Sequence, residues 1–91
     1  MILIRKDAKF KLEKLFQIMV EILEVDIDKI ALNTSRDMLE EWDSLSHIQI
    51  IVEVESSFNI KIPIEEINQI NLVGDFIRYI NEWYIENYYL I

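Results

Sequence analysis

The chain contains one glycine and one proline in 91 residues, and this scarcity of chain-breaking residues is what most constrains its fold. Glycine and proline punctuate turn-rich β-folds, whereas the leucine, isoleucine and glutamate that recur throughout this sequence favour helices. The length fits one domain with a modest core, and no cysteine is present to form a disulfide. We therefore expect a single all-α domain over residues 1–91, with a core of about 8–85 and terminal extensions at 1–7 and 86–91.

Apolar residues at spacings of three and four predict where the helices lie. The first is expected at about 8–24, with Asp7 as its N-cap, and the second at about 44–57. A short helix is expected at 65–70, and Asn71 is expected to cap the last one. Three longer helices, one short helix and a long first loop describe a small four-helix bundle.

Each longer helix has an apolar stripe that is expected to face the core. The stripes comprise Ala8, Leu12, Leu15, Phe16, Met19, Ile22 and Leu23; Leu45, Ile48, Ile51, Val52 and Phe58; and Val73, Phe76, Ile77, Ile80 and Tyr84. Five apolar residues of the connection 25–43 are expected to pin it to the core: Ile27, Ile30, Leu32, Met38 and Leu39. Ile50 lies outside the second stripe, so it is either at the edge of the core or a surface contact for a partner.

The net charge of −8 is unevenly distributed along the chain. Residues 1–14 hold five basic and two acidic residues, a net charge of +3, whereas residues 15–91 hold four basic and fifteen acidic residues, a net charge of −11. Such an acidic body repels nucleic acid and steers toward basic protein surfaces. The apolar run 1–4 is too short to span a membrane. We therefore expect a cytoplasmic protein with no nucleic-acid partner and no membrane insertion, and the absence of cysteine fits that compartment.

The sequence offers no defensible catalytic or metal-binding constellation. His47 is the only histidine, and no arrangement of acids and hydroxyls around it resembles a triad. The acidic pairs 40–41 and 65–66 are sequence neighbours, whose side chains point to different sides of a helix. Gly74 is the only glycine, so there is no glycine-rich phosphate loop. We expect neither an enzyme nor a metal site.

Ser44 is the exception, as a substrate rather than a catalyst. It follows an acidic, irregular segment and opens the second helix, within the sequence Asp43-Ser44-Leu45. Helix N-termini have unpaired N–H groups and the positive end of a dipole. A serine in this place is therefore either a helix cap or an attachment point for an anionic group.

The chain resembles the acyl carrier protein family over about residues 8–85. The motifs that carry the resemblance are Asp43-Ser44-Leu45, then Phe58, Ile62-Pro63 and Glu65-Glu66 at the family's spacing. The segments 23–30 and 73–80 are similar to the family's exit from the first helix and to its last helix. Asp-Ser-Leu alone is a weak motif, but its combination with the later motifs is specific.

The resemblance implies a four-helix bundle in which Ser44 carries 4′-phosphopantetheine, added from coenzyme A by a phosphopantetheinyl transferase. The arm's thiol would hold an acyl or aminoacyl group as a thioester, sheltered by residues such as Ile51, Phe58, Ile70 and Ile80. The implied partners are a loading ligase and downstream biosynthetic enzymes with basic docking surfaces. The alternative is an unmodified, carrier-like helical adaptor in which Ser44 is only a helix cap.

One departure from the fatty-acid type concerns the second helix, which is rich in acids in that type. Here the exposed positions are Ser46, Gln49, Ser56 and Ser57, and only Glu53 and Glu55 are acidic. Trp42 before the motif is similar to stand-alone carriers of specialised pathways. These features favour a dedicated carrier over one of housekeeping lipid synthesis.

Overall fold

The computed structural model describes the backbone of residues 2–90 and the side chains of residues 9–81. Three long helices are present, α1 (Ile2–Leu23), α2 (Ser44–Phe58) and α3 (Val73–Leu90), together with a 3-10 helix at Ile64–Gln69 that we call the short helix. Helix α1 packs against both α2 and α3. The predicted all-α bundle of three longer helices and one short helix is confirmed.

Helix α1 begins earlier than the sequence pattern indicated. It starts at Ile2, so Asp7 lies within the helix and the prediction that Asp7 is its N-cap is wrong. Among its described side chains, Leu15, Met19 and Leu23 are buried as expected, and Ile18 joins them although it lies outside the predicted stripe. Ala8 of that stripe lies outside the described side chains. The helix ends where Glu24 adopts a left-handed conformation with φ 55°.

The connection between α1 and α2 contains two single-turn 3-10 helices, Ile27–Lys29 and Arg36–Met38. Ile30 and Leu39 are buried as predicted. The prediction is wrong for Ile27, Leu32 and Met38, whose side chains are exposed. Besides Ile30 and Leu39, polar contacts that apolar periodicity cannot indicate hold this loop to the bundle.

Those polar contacts centre on Thr34, whose side chain is buried. Its hydroxyl accepts a hydrogen bond from the N–H of Ala31 at 2.9 Å, and its carbonyl accepts one from the N–H of Val73 at 3.0 Å. The N–H of Gly74 donates to the carbonyl of Leu32 at 2.8 Å, and a Cβ at Gly74 would lie only 3.0 Å from that oxygen. The single glycine therefore allows the loop to approach the start of α3.

The start of α3 differs from prediction in its capping residue. The helix begins at Val73, and the Asp75 carboxylate accepts hydrogen bonds from the N–H groups of Asn71 and Leu72 at 3.0 and 3.1 Å. The prediction that Asn71 caps the helix is wrong, because an acid in the first turn supplies the acceptor. Val73, Phe76 and Ile80 are buried as expected, Tyr79 is buried in addition, and Tyr84 lies outside the described side chains.

Candidate attachment site

Asp43 caps α2 at its N-terminus. Its backbone is extended, and its Oδ1 accepts a hydrogen bond from the N–H of Ser46 at 2.9 Å. The backbone carbonyl of Asp43 accepts from the N–H of His47 at 2.9 Å, which closes the first turn. Hydrogen bonds from the backbone and then the hydroxyl of Ser46 hold the pKa of the Asp43 carboxyl below its usual value.

Ser44 is the first residue of α2, and its side chain is exposed. Among the described residues, no hydrogen bond involves its hydroxyl. The interpretation of Ser44 as the helix cap is therefore wrong, because Asp43 already performs that role. The arrangement leaves the Ser44 hydroxyl open to a reagent at the positive end of the α2 dipole, where an anionic group is favoured.

Trp42 and His47 lie beneath the attachment segment and are 3% and 1% exposed. The Trp42 indole Nε1 donates to His47 Nδ1 at 2.9 Å, and His47 Nε2 lies 2.8 Å from the carbonyl oxygen of Ile67 in the short helix. Phe76 of α3 packs against both rings, with centroids 6.4 Å from Trp42 and 6.3 Å from His47. His47 is thus a packed core residue rather than a catalytic base.

Both ring nitrogens of His47 have defined roles. An indole N–H only donates, so Nδ1 must be an unprotonated acceptor and Nε2 carries the hydrogen that the Ile67 carbonyl accepts. Burial lowers the pKa of His47, the Ile67 carbonyl acts in the opposite direction, and the charge of Arg36 lowers it further. The imidazole is therefore neutral and held in one tautomer.

The core face of α2 agrees with the predicted stripe at Ile51, which is buried, and at Phe58, which is partly buried against the core, but not at its other positions. Its buried residues are His47, Ile50, Ile51 and Val54. Leu45, Ile48 and Val52, which were predicted to face the core, are 70%, 47% and 57% exposed. Ile50 is 0% exposed, so its interpretation as a surface contact for a partner is wrong. Apolar residues lie on two arcs of α2. Burial of His47 places in the core the arc that apolar spacing did not favour.

Leu45, Ile48 and Val52 form an exposed apolar row that starts beside Ser44, and we call it the α2 strip. Their spacing of three and then four residues places them on one face of the helix. Glu53 is exposed beside this strip, where it accepts a hydrogen bond from the Ser57 hydroxyl at 3.3 Å. The surface around Ser44 therefore combines apolar area with few charges from α2 itself.

The other acid of α2 has an internal role. The Glu55 carboxylate is half-buried and accepts a hydrogen bond from the N–H of Ile62 at 2.8 Å. Asn59 ends the helix in the left-handed conformation, and the N–H of Ile60 donates to the Glu55 carbonyl at 3.0 Å. Glu55 therefore holds the segment after α2, on which Ile60 and Ile62 are buried.

The short helix is held by a second side-chain contact besides that of His47. The Tyr79 hydroxyl of α3 donates to Glu66 Oε1 at 2.6 Å. Burial raises the pKa of Tyr79, and the hydrogen bond to Glu66 raises it further. His47 and Tyr79 thus fix the short helix to α2 and to α3.

The described residues contain neither a metal-binding cluster nor a membrane-spanning helix. No three or more His, Cys, Asp or Glu side chains lie close enough together to hold a metal ion. In the same part of the chain, no helix is both long and apolar enough to cross a membrane.

The comparisons with known proteins agree with this geometry. Residues 13–80 match the family model described as "Phosphopantetheine attachment site". The acyl carrier proteins of Streptococcus pyogenes serotype M1 and Streptococcus thermophilus (strain CNRZ 1066) are each 40% identical to this chain over 70 residues. Each alignment covers 77% of this chain and 90% of the relative.

A helical bundle that matches an attachment-site model over most of its length is a carrier module rather than a catalyst. The chain belongs to the acyl carrier protein family. Its prosthetic group is 4′-phosphopantetheine, held covalently. The family membership predicted from the sequence motifs is confirmed, and so are the cofactor and the non-enzymatic role.

Proposed function

We propose that 4′-phosphopantetheine is attached to the hydroxyl of Ser44. The observation that supports this proposal is that the hydroxyl is exposed at the N-terminus of α2 and has no hydrogen-bond partner among the described residues. A transferase forms the bond between Ser44 Oγ and phosphorus while the phosphoanhydride bond of coenzyme A breaks. The adenosine bisphosphate portion leaves, and the Oγ proton passes to a base on the transferase.

The surroundings of Ser44 fit a phosphodiester. The positive end of the α2 dipole favours the negative charge. The neighbouring Asp43 carboxylate accepts a hydrogen bond from the N–H of Ser46. The chain has no cysteine, so the reactive thiol comes with the arm.

The arm's thiol carries an acyl or aminoacyl group as a thioester between partner enzymes of a biosynthetic pathway. We propose that the cargo is sheltered beside Ile51, Ile70 and Ile80, with Phe58 at the edge. The first three are at most 3% exposed and Phe58 is half-buried. Cargo would enter by displacing packed side chains.

Partner enzymes are proposed to dock on the α2 strip. Exposed apolar rows of this kind mark interaction surfaces, and this one begins at the residue next to Ser44. Exposed acids at positions 40, 41 and 53 would contact basic residues at the rim of the partner. The partners are the transferase, a loading ligase and downstream enzymes, and nucleic acid is not among them.

A dedicated, cytoplasmic carrier of a specialised pathway is the form of this function that we favour. This proposal is supported by the low acid content of the exposed face of α2. The Glu55 carboxylate accepts a hydrogen bond from the Ile62 N–H, so Glu53 is the acid of α2 that remains exposed. An enzyme that selects carriers by a strongly acidic helix would bind this one poorly.

The test is intact mass after incubation with coenzyme A and a broad-specificity transferase. Wild type should gain one phosphopantetheine, and Ser44→Ala should gain none. Ser56→Ala is the matched control, because Ser56 is an exposed serine of the same helix, and it should be modified like wild type. A folded wild type that gains no mass would support the unmodified adaptor, and modification of Ser44→Ala would place the group on another residue.

A further inference from the structure

His47 is a buried titratable side chain that the proposed chemistry of Ser44 does not use. It lies one turn after Ser44 in α2, and its Nδ1 accepts a hydrogen bond from Trp42, two residues before Ser44. Its Nε2 donates to the Ile67 carbonyl, twenty residues further along the chain. Ser44 therefore lies between two side chains that are hydrogen-bonded to each other, and one of them, His47, is also hydrogen-bonded to the short helix.

The exposed residues between them have few restraints of their own. Asp43 and Ser44 are both exposed, and the Asp43 cap fixes them only relative to the first turn of α2. Trp42 and His47 are anchored in the core, where Phe76 packs against both rings. This buried pair therefore connects the exposed first turn of α2 to the core, in addition to the buried residues further along the helix.

We propose that Trp42 and His47 are positioning residues for the modification of Ser44. Their hydrogen-bonded chain, from the Trp42 indole through the His47 imidazole to the Ile67 carbonyl, fixes the start of α2 against the short helix. It thereby holds the Ser44 hydroxyl in the orientation that the transferase accepts. The inference rests on the proposed function of Ser44 and adds the residues that prepare it for reaction.

The hydrogen bonds from Trp42 through His47 to the Ile67 carbonyl form only when the imidazole of His47 is neutral. A second proton on His47 would lie on Nδ1 and face the indole N–H, which is also a donor. Of the groups around the ring, Trp42, Ile67 and Phe76 are uncharged, and Arg36 opposes a positive charge on His47. The carboxylate of Glu66, next to Ile67, is bonded to Tyr79, and that of Asp43 is bonded to the N–H of Ser46.

The sign of the pH dependence follows from the lowered pKa of His47. A histidine whose pKa is lower in the folded state is favoured neutral by folding, so the unfolded chain binds more protons. The stability that these hydrogen bonds contribute is therefore fully present above the ordinary histidine value of 6.5 and falls below it. In the folded protein, the hydrogen bonds themselves are lost as the pH falls through the lowered pKa of His47. Modification of Ser44 should slow over the same range.

The first experiment is NMR of the unmodified protein. His47 is the only histidine, so its ring resonances are unambiguous. A scalar coupling across the Trp42 Nε1–H···Nδ1 hydrogen bond is expected, with a neutral ring protonated at Nε2. Trp42→Phe keeps an aromatic ring but removes the donor that opposes a proton on Nδ1, so the pKa of His47 should rise. A histidine that is merely packed would not show this response.

The second experiment measures transfer of phosphopantetheine to Ser44 under single-turnover conditions. Trp42→Phe and His47→Leu should lower kcat/KM by about tenfold, the size expected when a buried hydrogen bond is lost. His47→Gln offers one acceptor and one donor without titrating, so it should recover much of the rate and remove the loss at acid pH. Ile18→Val, a small truncation in the core face of α1, controls for general loosening of the bundle and should react like wild type.

The outcomes separate this inference from the function on which it rests. A wild type that is never modified overturns the role of Ser44 and this inference with it. A wild type that is modified no faster than folded Trp42→Phe and His47→Leu overturns the inference alone. Absence of the coupling across Trp42 and His47, or an unchanged His47 pKa in Trp42→Phe, also overturns it.

Discussion

At the residue scale, two adjacent side chains have different roles at the start of α2. Asp43 accepts the hydrogen bond of the Ser46 N–H, and the hydroxyl of Ser44, the first helical residue, makes none with the part of the chain that the structure describes. A serine that capped the helix would have its hydroxyl engaged and its loss would cost stability. Because the acid performs that role, Ser44 can be altered or modified with little effect on the fold.

This division predicts different stabilities for three variants. Asp43→Ala should lower the melting temperature by about 5 °C, as expected for loss of an N-cap. Asp43→Asn should lie close to wild type, since asparagine caps nearly as well as aspartate. Ser44→Ala should also match wild type. Thermal unfolding followed by circular dichroism at neutral pH tests this, and a Ser44→Ala variant as unstable as Asp43→Ala would contradict it.

At the scale of elements, α2 presents two surfaces with different chemistry. One is buried through His47, Ile50, Ile51 and Val54, and the other exposes the α2 strip beside Glu53. Apolar contacts contribute to binding without screening, whereas exposed charges act mainly by steering encounter and weaken as salt is added. The two contributions to partner docking can therefore be separated by ionic strength.

Ile48→Gln should raise the KM of the transferase for this carrier severalfold, and the effect should persist at high salt because apolar contact is lost. Glu53→Lys and Asp43→Asn should slow modification mainly at low salt, where steering matters. Ile48 is about half exposed and the other two residues are exposed, so the melting temperatures should change little. Initial rates over a salt series are the measurement. An Ile48→Gln effect that disappears with salt would exclude apolar docking.

Glu55 connects α2 to the segment that follows it. Glu55→Ala leaves the half-buried N–H of Ile62 without its acceptor, at a cost of about 1–2 kcal/mol in the free energy of unfolding. Glu55→Gln keeps an acceptor oxygen and should lose less. Glu53→Ala is the matched control, since Glu53 is exposed and, among the described residues, accepts a hydrogen bond only from the Ser57 hydroxyl. Urea unfolding of the three variants would show equal losses if Glu55 had no structural role.

At the scale of the whole molecule, repulsion among negative charges reduces the stability that the packed core provides. The chain has a net charge of −8, and the residues after position 14 have a net charge of −11. The buried core contains apolar residues from all three long helices. Like charges on a compact body repel one another, and added ions screen that repulsion. Stability should therefore depend on ionic strength more than on any specific cation.

Raising sodium chloride from low to moderate concentration at neutral pH should raise the melting temperature by several degrees. Magnesium chloride at matched ionic strength should do nearly the same, because the described residues include no group of acids arranged to hold a metal ion. Differential scanning calorimetry over both titrations is the measurement. A flat response to salt would show that packing alone sets the stability, and a saturating response to micromolar magnesium would reveal a specific cation site.

The sequence by itself determined the helices, the class of fold and the motif around Ser44. These are local properties: apolar spacing, scarce glycine and proline, and residues such as Asn59 that end helices act over a few neighbouring positions. The family motifs added the prosthetic group, because they specify residue types at fixed separations along the chain.

Only the tertiary structure decided which face of α2 is buried. Both arcs of α2 are apolar, and spacing favoured Leu45, Ile48 and Val52 for the core, whereas the bundle buries Ile50 and Val54 on the other side. His47 can be buried because Trp42 and the Ile67 carbonyl satisfy both of its nitrogens, and Ile67 comes from a distant segment. Burial of a polar ring is favourable only when its partners are in place, and those partners meet only in the folded bundle.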